Sequence, residues 1–355
     1  MIDRDDLKAA VSSGLLSERQ AAGLVSLADS RRGAREALSE GDEPFELFKG
    51  FNEIFIVIGL LILAAGWWGV LAVVLSDRVI NLVSFSGMAS LIGAGLLWLL
   101  SEYFVRKRRM VAPAIALSVM FAGNAAFGLI AVMSQPFMVA QGDYSSIPLP
   151  LLVTTLALAV YWWRFRVPFA MAMIAVGLFA VAIIFTASRG GRINGISDLF
   201  LLSAGGPFAF ITLALGLLVF AVAMAFDMSD PHRVTRRSAN GFWLHVVAAP
   251  ALVNTIALTL LDQDNGGSNV ILLAFLTLFA IVAIVIDRRS FLIAAIGYIV
   301  VLAGTVLEGG GAAYTVLALG IVLVALGAFW ERIRARILRI MPGFVPLHKL
   351  PPSHI

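Results

Sequence analysis

The chain has 355 residues, 60% hydrophobic and only 14% charged, with a mean hydropathy of +0.94 and a formal net charge of +4. A soluble domain is about a quarter charged, so this apolar surplus cannot be hidden in a soluble core and calls for lipid as its solvent. The lack of cysteine excludes disulfides, thiol nucleophiles, thiolate zinc sites and iron–sulfur clusters. The basic clusters fall in loops between apolar segments, not on a folded polar face, which excludes a nucleic-acid binder.

Residues 1–50 read as a small cytoplasmic module. Asp3 to Ser13 is expected to be a short helix with Leu7, Ala10 and Val11 on one side, closed by Gly14. Ser17 opens a second helix, and Gln20 three residues later completes a capping box. Leu24, Leu27 and Ala28 give that helix an apolar stripe. Two short helices bury little surface, so residues 1–48 are expected to engage a cytoplasmic protein partner. The charged run from Arg31 to Glu46 reads as a linker. No signal-peptide pattern precedes the first apolar segment, which reads as an uncleaved signal anchor.

Ten apolar segments then follow, each about long enough to cross a core of ~30 Å. Their expected limits are 54–75, 79–104, 111–133, 147–163, 167–187, 201–226, 242–261, 269–286, 291–307 and 312–330. With ten spans both termini share one side. All but three of the 26 Lys and Arg residues fall on that side, the exceptions being Arg78, Arg189 and Arg192. The positive-inside rule puts both termini in the cytoplasm. The expected class is therefore an all-α integral membrane protein with ten transmembrane helices, N-in and C-in. The membrane domain covers 51–331 and the tail 332–355. Beyond Trp330, Ile333, Ile337 and Ile340 share one helix face with arginines around the rest, the pattern of an amphipathic helix on anionic inner-leaflet lipids.

An internal echo subdivides the membrane domain. Ser146 to Ala172 aligns without gaps on Ser268 to Ala294, placing Arg166 on Arg288 and Phe169 on Phe291. Leu213 to Gly216 matches Leu317 to Gly320, with Phe226 on Trp330 and Asp227 on Glu331. This divides the domain into an initial pair (51–104) and two four-helix units (111–227 and 241–331). An offset of four spans keeps their orientation, giving a parallel repeat. Chance alignment of apolar helices with basic ends stands as the alternative.

Polar groups inside spans are the usual pointers to transport paths. None of the spans carries Asp, Glu, Lys or Arg at its middle, which weighs against ion-coupled transport. Two amides fall near mid-membrane, Asn124 and Asn254, at matching depth in the first helix of each proposed unit. They read either as interhelical hydrogen bonds or as a polar pair lining a cavity. The seventh span adds Trp243, His245 and Pro250, preceded by Arg236 and Arg237. His245 reads either as a proton-sensitive group near those arginines or as an interfacial anchor. Pro250 frees the carbonyl of Val246 from the helix ladder. Gly205-Gly206-Pro207 interrupt the sixth span near its outer part and Gly309 to Gly311 precede the tenth at the matching place, and both read either as unwound elements that bind a ligand or as flexible starts of long helices. Gly93 and Gly95 suit close helix contact. No set of histidines forms a metal site, and no cofactor motif is present. No Ser/His/Asp set, phosphate loop, HExxH or carboxylate pair points to an enzyme.

In Gly14-Leu-Leu-Ser17 to Gln20, Gln141-Gly-Asp-Tyr144, Arg164-Phe-Arg-Val-Pro168 and Arg236-Arg-Ser238 to His245, the chain resembles the bacterial DUF2157-type multi-pass membrane proteins. The resemblance implies a bacterial inner-membrane location and brings no established activity. The expected function is a non-enzymatic scaffold or sensor. The alternative is a permease for a neutral or amphipathic solute, with Asn124 and Asn254 along its path.

Overall fold

The computed structural model describes residues 9–17, 20, 51–76, 82–135, 138–191, 195–231, 236–263, 266–288, 311–343 and 346–351. The chain divides into a unit of residues 1–47 with His354 and a unit of residues 48–353 with Ile355. In the first, the helix that includes residues 9–12 ends at Gly14, whose φ is +75°. The Leu15 N–H returns to the Ala10 carbonyl at 2.9 Å and the Gly14 N–H to Val11 at 3.1 Å, a closing motif that needs a left-handed residue. Downstream, the Ser17 N–H donates to Gln20 Oε1 at 3.0 Å and the Gln20 N–H to Ser17 Oγ at 3.3 Å, the reciprocal bonds of the expected capping box. The stripe at Leu24, Leu27 and Ala28 and the charged linker lie outside the described residues.

The second unit is built from long helices, and no strand occurs among the described residues. In chain order these are α1 (Phe51–Ser76), α2 (Leu82–Ser101), α3 (Ala112–Met133), α4 (Pro148–Phe165), α5 (Phe169–Ser188), α6 (Phe208–Met228), α7 (Arg236–Asp262), α8 (Gly266–Ile286) and α9 (Gly311–Ile340). Helices α1 to α8 are long and apolar enough to cross a membrane. Helices apolar on all sides are lipid-facing or bundle-internal by composition. Proline marks several starts: Pro113 and Pro148 lie in first turns, and Pro168 caps α5. There the missing N–H is no loss. The expected ninth span, 291–307, lies outside the described residues, and the tenth falls on α9.

The sixth span begins later than the expected residue 201, and Gly205, Gly206 and Pro207 lie at the start of its helix, not within it. Two short 3₁₀ turns (Ile196–Leu199 and Leu202–Ala204) precede them, Gly205 adopts φ +70°, and α6 starts afresh at Phe208. Proline fits a first turn better than a helix interior, so the break belongs to the loop.

Helices α1 to α5 share one core, where Trp98 packs edge-on against Tyr161 and Phe165, and Phe121 stacks on Tyr161. Tyr161 is fully buried and its hydroxyl meets Ser101 Oγ at 2.8 Å, while Ser101 itself donates to the Leu97 carbonyl. Close approach of α2 and α3 occurs at Gly87 and Gly128, where an added Cβ would sit 2.7 Å from Ala131 and 2.8 Å from Leu91 respectively. Gly95, expected at such a contact, is exposed with open space beside it.

Beyond a kink at Phe329 (φ −116°, ψ 19°), Ile333 and Ile337 of α9 pack against the core cluster that holds Ala249, Ala283, Ile286 and Trp330, whereas Ile340 is exposed. Arg332, Arg336 and Arg339 are exposed too. Arg334 is buried and donates to the Pro351 carbonyl. The expected amphipathic face is thus shared between the bundle and its surroundings.

Candidate functional site

The central helix is α7, which packs against α5, α6 and α8. Its first turns are polar, with Ser238, Asn240 and His245 all buried. His245 faces a carboxylate, Asp227 in the last turn of α6, only 5% exposed. A carboxylate only accepts, and this settles which ring nitrogen of the histidine carries a proton. The Nε2–H of His245 donates to Asp227 Oδ2 at 2.8 Å.

Arg288, one residue past Asp287 at the end of α8, reaches the same carboxylate with one edge of its guanidinium. Its Nε donates to Oδ2 at 3.0 Å and its Nη2 to Oδ1, and Nη2 also reaches the Ser238 carbonyl at 3.0 Å. Arg288 is 1% exposed and His245 is fully buried. A paired fork of this kind is the strongest geometry open to a carboxylate and an arginine.

The backbone makes room for the cluster. A Cβ on Gly241 would lie 2.1 Å from Asp227 Oδ1 and 3.2 Å from the Ala223 carbonyl, so only glycine lets α7 pass this close to the carboxylate. Gly241→Ala should therefore displace a carboxylate that Arg288 and His245 hold in place. The expected loss is about 1–2 kcal/mol, read as a lower unfolding midpoint of the purified full-length chain. An unchanged midpoint would mean that the carboxylate is not fixed where it lies.

Further contacts at the same end of α7 tie it to its neighbours. Trp162 of α4 donates its indole N–H to Asn240 Oδ1 at 3.3 Å, and Phe169 of α5 meets Trp243 edge-on at 4.6 Å between centroids. Phe220 of α6 packs edge-on against the His245 ring at 5.5 Å. Asp287, whose left-handed φ of +56° ends α8, accepts the Trp330 indole N–H at 2.7 Å.

The residues singled out in the sequence separate into distinct places. His245 belongs to the buried cluster. Trp243 is half-buried in the aromatic contact with α5, and Arg237 is exposed. Pro250 is exposed as well. Five residues along a helix turn the side chain by about 140°, so Pro250 and His245 do not share a face. Asn254 is half-buried and engaged with its surroundings. Asn124 is on α3, where its Nδ2 donates to the Met120 carbonyl at 2.9 Å. Arg233 and the side chain of Arg236 lie outside the described residues. Among the described residues, no group of three His, Asp or Glu side chains could hold a metal ion.

Asp227 and Arg288 are the residues that sequence reasoning misses. Both sit at helix ends, where charge is ordinarily explained by topology. The outer acids have local roles. Asp262 accepts from Ser203 Oγ at 2.6 Å. Asp143 accepts the Ser145 N–H at 2.9 Å, a bond that holds its carboxyl below the usual range. Asp264 lies outside the described residues.

The proposed repeat meets a mismatch at this site. The left-handed residues that end α4 and α8 are Arg166 and Asp287, one position off the register that pairs Arg166 with Arg288. Arg166 is exposed over the Trp162 ring at 4.9 Å, while Arg288 is buried on Asp227.

Fold and site together define a helical protein with several membrane-crossing helices and a buried ionic cluster around its central helix. No protein-family model, no curated protein and no solved structure matches the chain.

Proposed function

We propose that the chain is a non-enzymatic sensor or scaffold of the bacterial inner membrane, of the DUF2157 type, with both termini in the cytoplasm. Residues 1–48 engage a cytoplasmic protein, and the Asp227–His245–Arg288 cluster fixes the state of the bundle around α7. The observation that carries this reading is the cluster itself. Charges taken out of water are costly, and in membrane proteins they are kept where they serve a purpose. Here an arginine and a histidine drawn from different segments both bind the carboxylate. A buried ionic set that joins several helices suits a lock between two arrangements of helices better than a path for solute.

The test has two arms in cells: site-specific crosslinking from residues 1–48 in the parent chain and Asp227→Asn, and affinity capture through a C-terminal tag on the parent and on a chain lacking residues 1–48. The sensor reading expects one discrete partner in the parent, a changed yield in Asp227→Asn at equal protein level, and loss of capture in the truncated chain. Capture of the same partner through the bundle alone would overturn it.

A further inference from the structure

A second polar place lies among α1, α2 and α3, built from none of the residues of the ionic cluster. Gly93 is buried about halfway along α2, and a Cβ built there would lie 3.0 Å from Asn124 Oδ1 and 3.5 Å from Trp67 Nε1. Both atoms are shielded from solvent, and neither has a hydrogen-bond partner among the described residues. They are chemical complements: the indole N–H can only donate, and the amide oxygen accepts. The orientation of the amide is fixed, because its Nδ2 end already donates to the Met120 carbonyl at 2.9 Å. Turning it over would set two carbonyl oxygens against each other.

Leaving a buried donor and a buried acceptor both unmet costs about 1–3 kcal/mol each, and hydrocarbon offers no substitute. The two atoms flank one point, yet they do not bond to each other. A single oxygen with two legs of ~2.8 Å bridges atoms up to about 5.6 Å apart. A neutral hydroxyl can both accept from an indole and donate to a carbonyl. An ammonium cannot accept, and a carboxylate would face the amide oxygen with negative charge.

We propose that the Gly93 notch is a binding site for one neutral hydroxyl, which accepts from Trp67 Nε1 and donates to Asn124 Oδ1. Water is the smallest molecule that supplies it, and a membrane-dissolved alcohol or a hydroxyl-bearing lipid supplies the same group. The site does not depend on the sensor reading, since none of its residues belongs to the ionic cluster or to residues 1–48.

The deciding experiment is a high-resolution density map of the full-length chain in lipid nanodiscs. Density within hydrogen-bond reach of both atoms is expected. A compact peak identifies water, and a peak continuing into a chain identifies an alcohol or lipid. A map that resolves both side chains with nothing between them overturns the proposal. Trp67→Phe and Asn124→Leu supply a second readout. With a bridging hydroxyl, each single change strands the other partner and lowers Tm by about 2–4 °C, and the double variant loses less than the two losses combined. Additive effects, or a single variant more stable than the parent, overturn the proposal.

Discussion

Asp227→Ala should destabilise the bundle more than any other single truncation near α7. The change leaves the Arg288 guanidinium, 1% exposed, without the carboxylate that holds its fork. It also removes the acceptor for the fully buried His245. Breaking one side of a buried ion pair costs about 3–5 kcal/mol, because the buried charge left behind loses that partner. For a chain of this size the Tm should fall by about 4–7 °C. A paired change separates the cost of burying one charge without the other from the worth of the pair. Asp227→Leu with Arg288→Met removes both charges together and should recover most of the loss. Thermal unfolding in nanodiscs reads both. If Asp227→Ala stays within about 1 kcal/mol of the parent, the cluster does not hold the helices together.

That cluster also shows where sequence reading stops. Hydropathy suffices for the helices themselves: the limits expected for α3 and α5 fall within two residues of those observed. Local chemistry is equally legible, since Ser17 and Gln20 lie close in sequence and meet as a capping box. Pairing across the bundle is not. Asp227 and Arg288 are separated by 61 positions, and each sits at a helix end, where positive-inside counting already accounts for an arginine. Aligning Arg288 with Arg166 reinforces that reading, although one arginine is buried and the other exposed. His245 is visible as an oddity of the seventh span, but the carboxylate that explains it lies on α6. Asn124 can be placed by depth alone. The indole of Trp67 beside it depends on how α1 is rotated against α2, which no periodicity in so uniformly apolar a helix reveals.

Glu53 makes the same point elsewhere in the bundle, and it carries the second large expectation. Its position near the start of α1 suggests a solvated carboxylate, yet it is 4% exposed. Its oxygens accept the Val111 N–H at 3.2 Å and the Ala112 N–H at 3.0 Å, at the first turn of α3. Pro113 follows in that turn, and Val111 provides no side-chain cap of its own. A helix start needs acceptors for its unpaired N–H groups, and a negative charge there also meets the positive end of the helix dipole. The cap of α3 is therefore supplied by another helix, which ties the starts of α1 and α3 together. Glu53→Ala should lose charge-assisted bonds worth about 1.5–3 kcal/mol each before relaxation, for a net destabilisation of about 2–4 kcal/mol. Glu53→Gln keeps an acceptor oxygen without the charge and should lose roughly half as much. Amide hydrogen exchange at Val111 and Ala112 reads the same bond locally: exchange there should speed up in Glu53→Ala and only partly in Glu53→Gln. Equal exchange in all three chains would show that the first turn of α3 does not depend on Glu53, and that α1 is held to it by apolar packing alone.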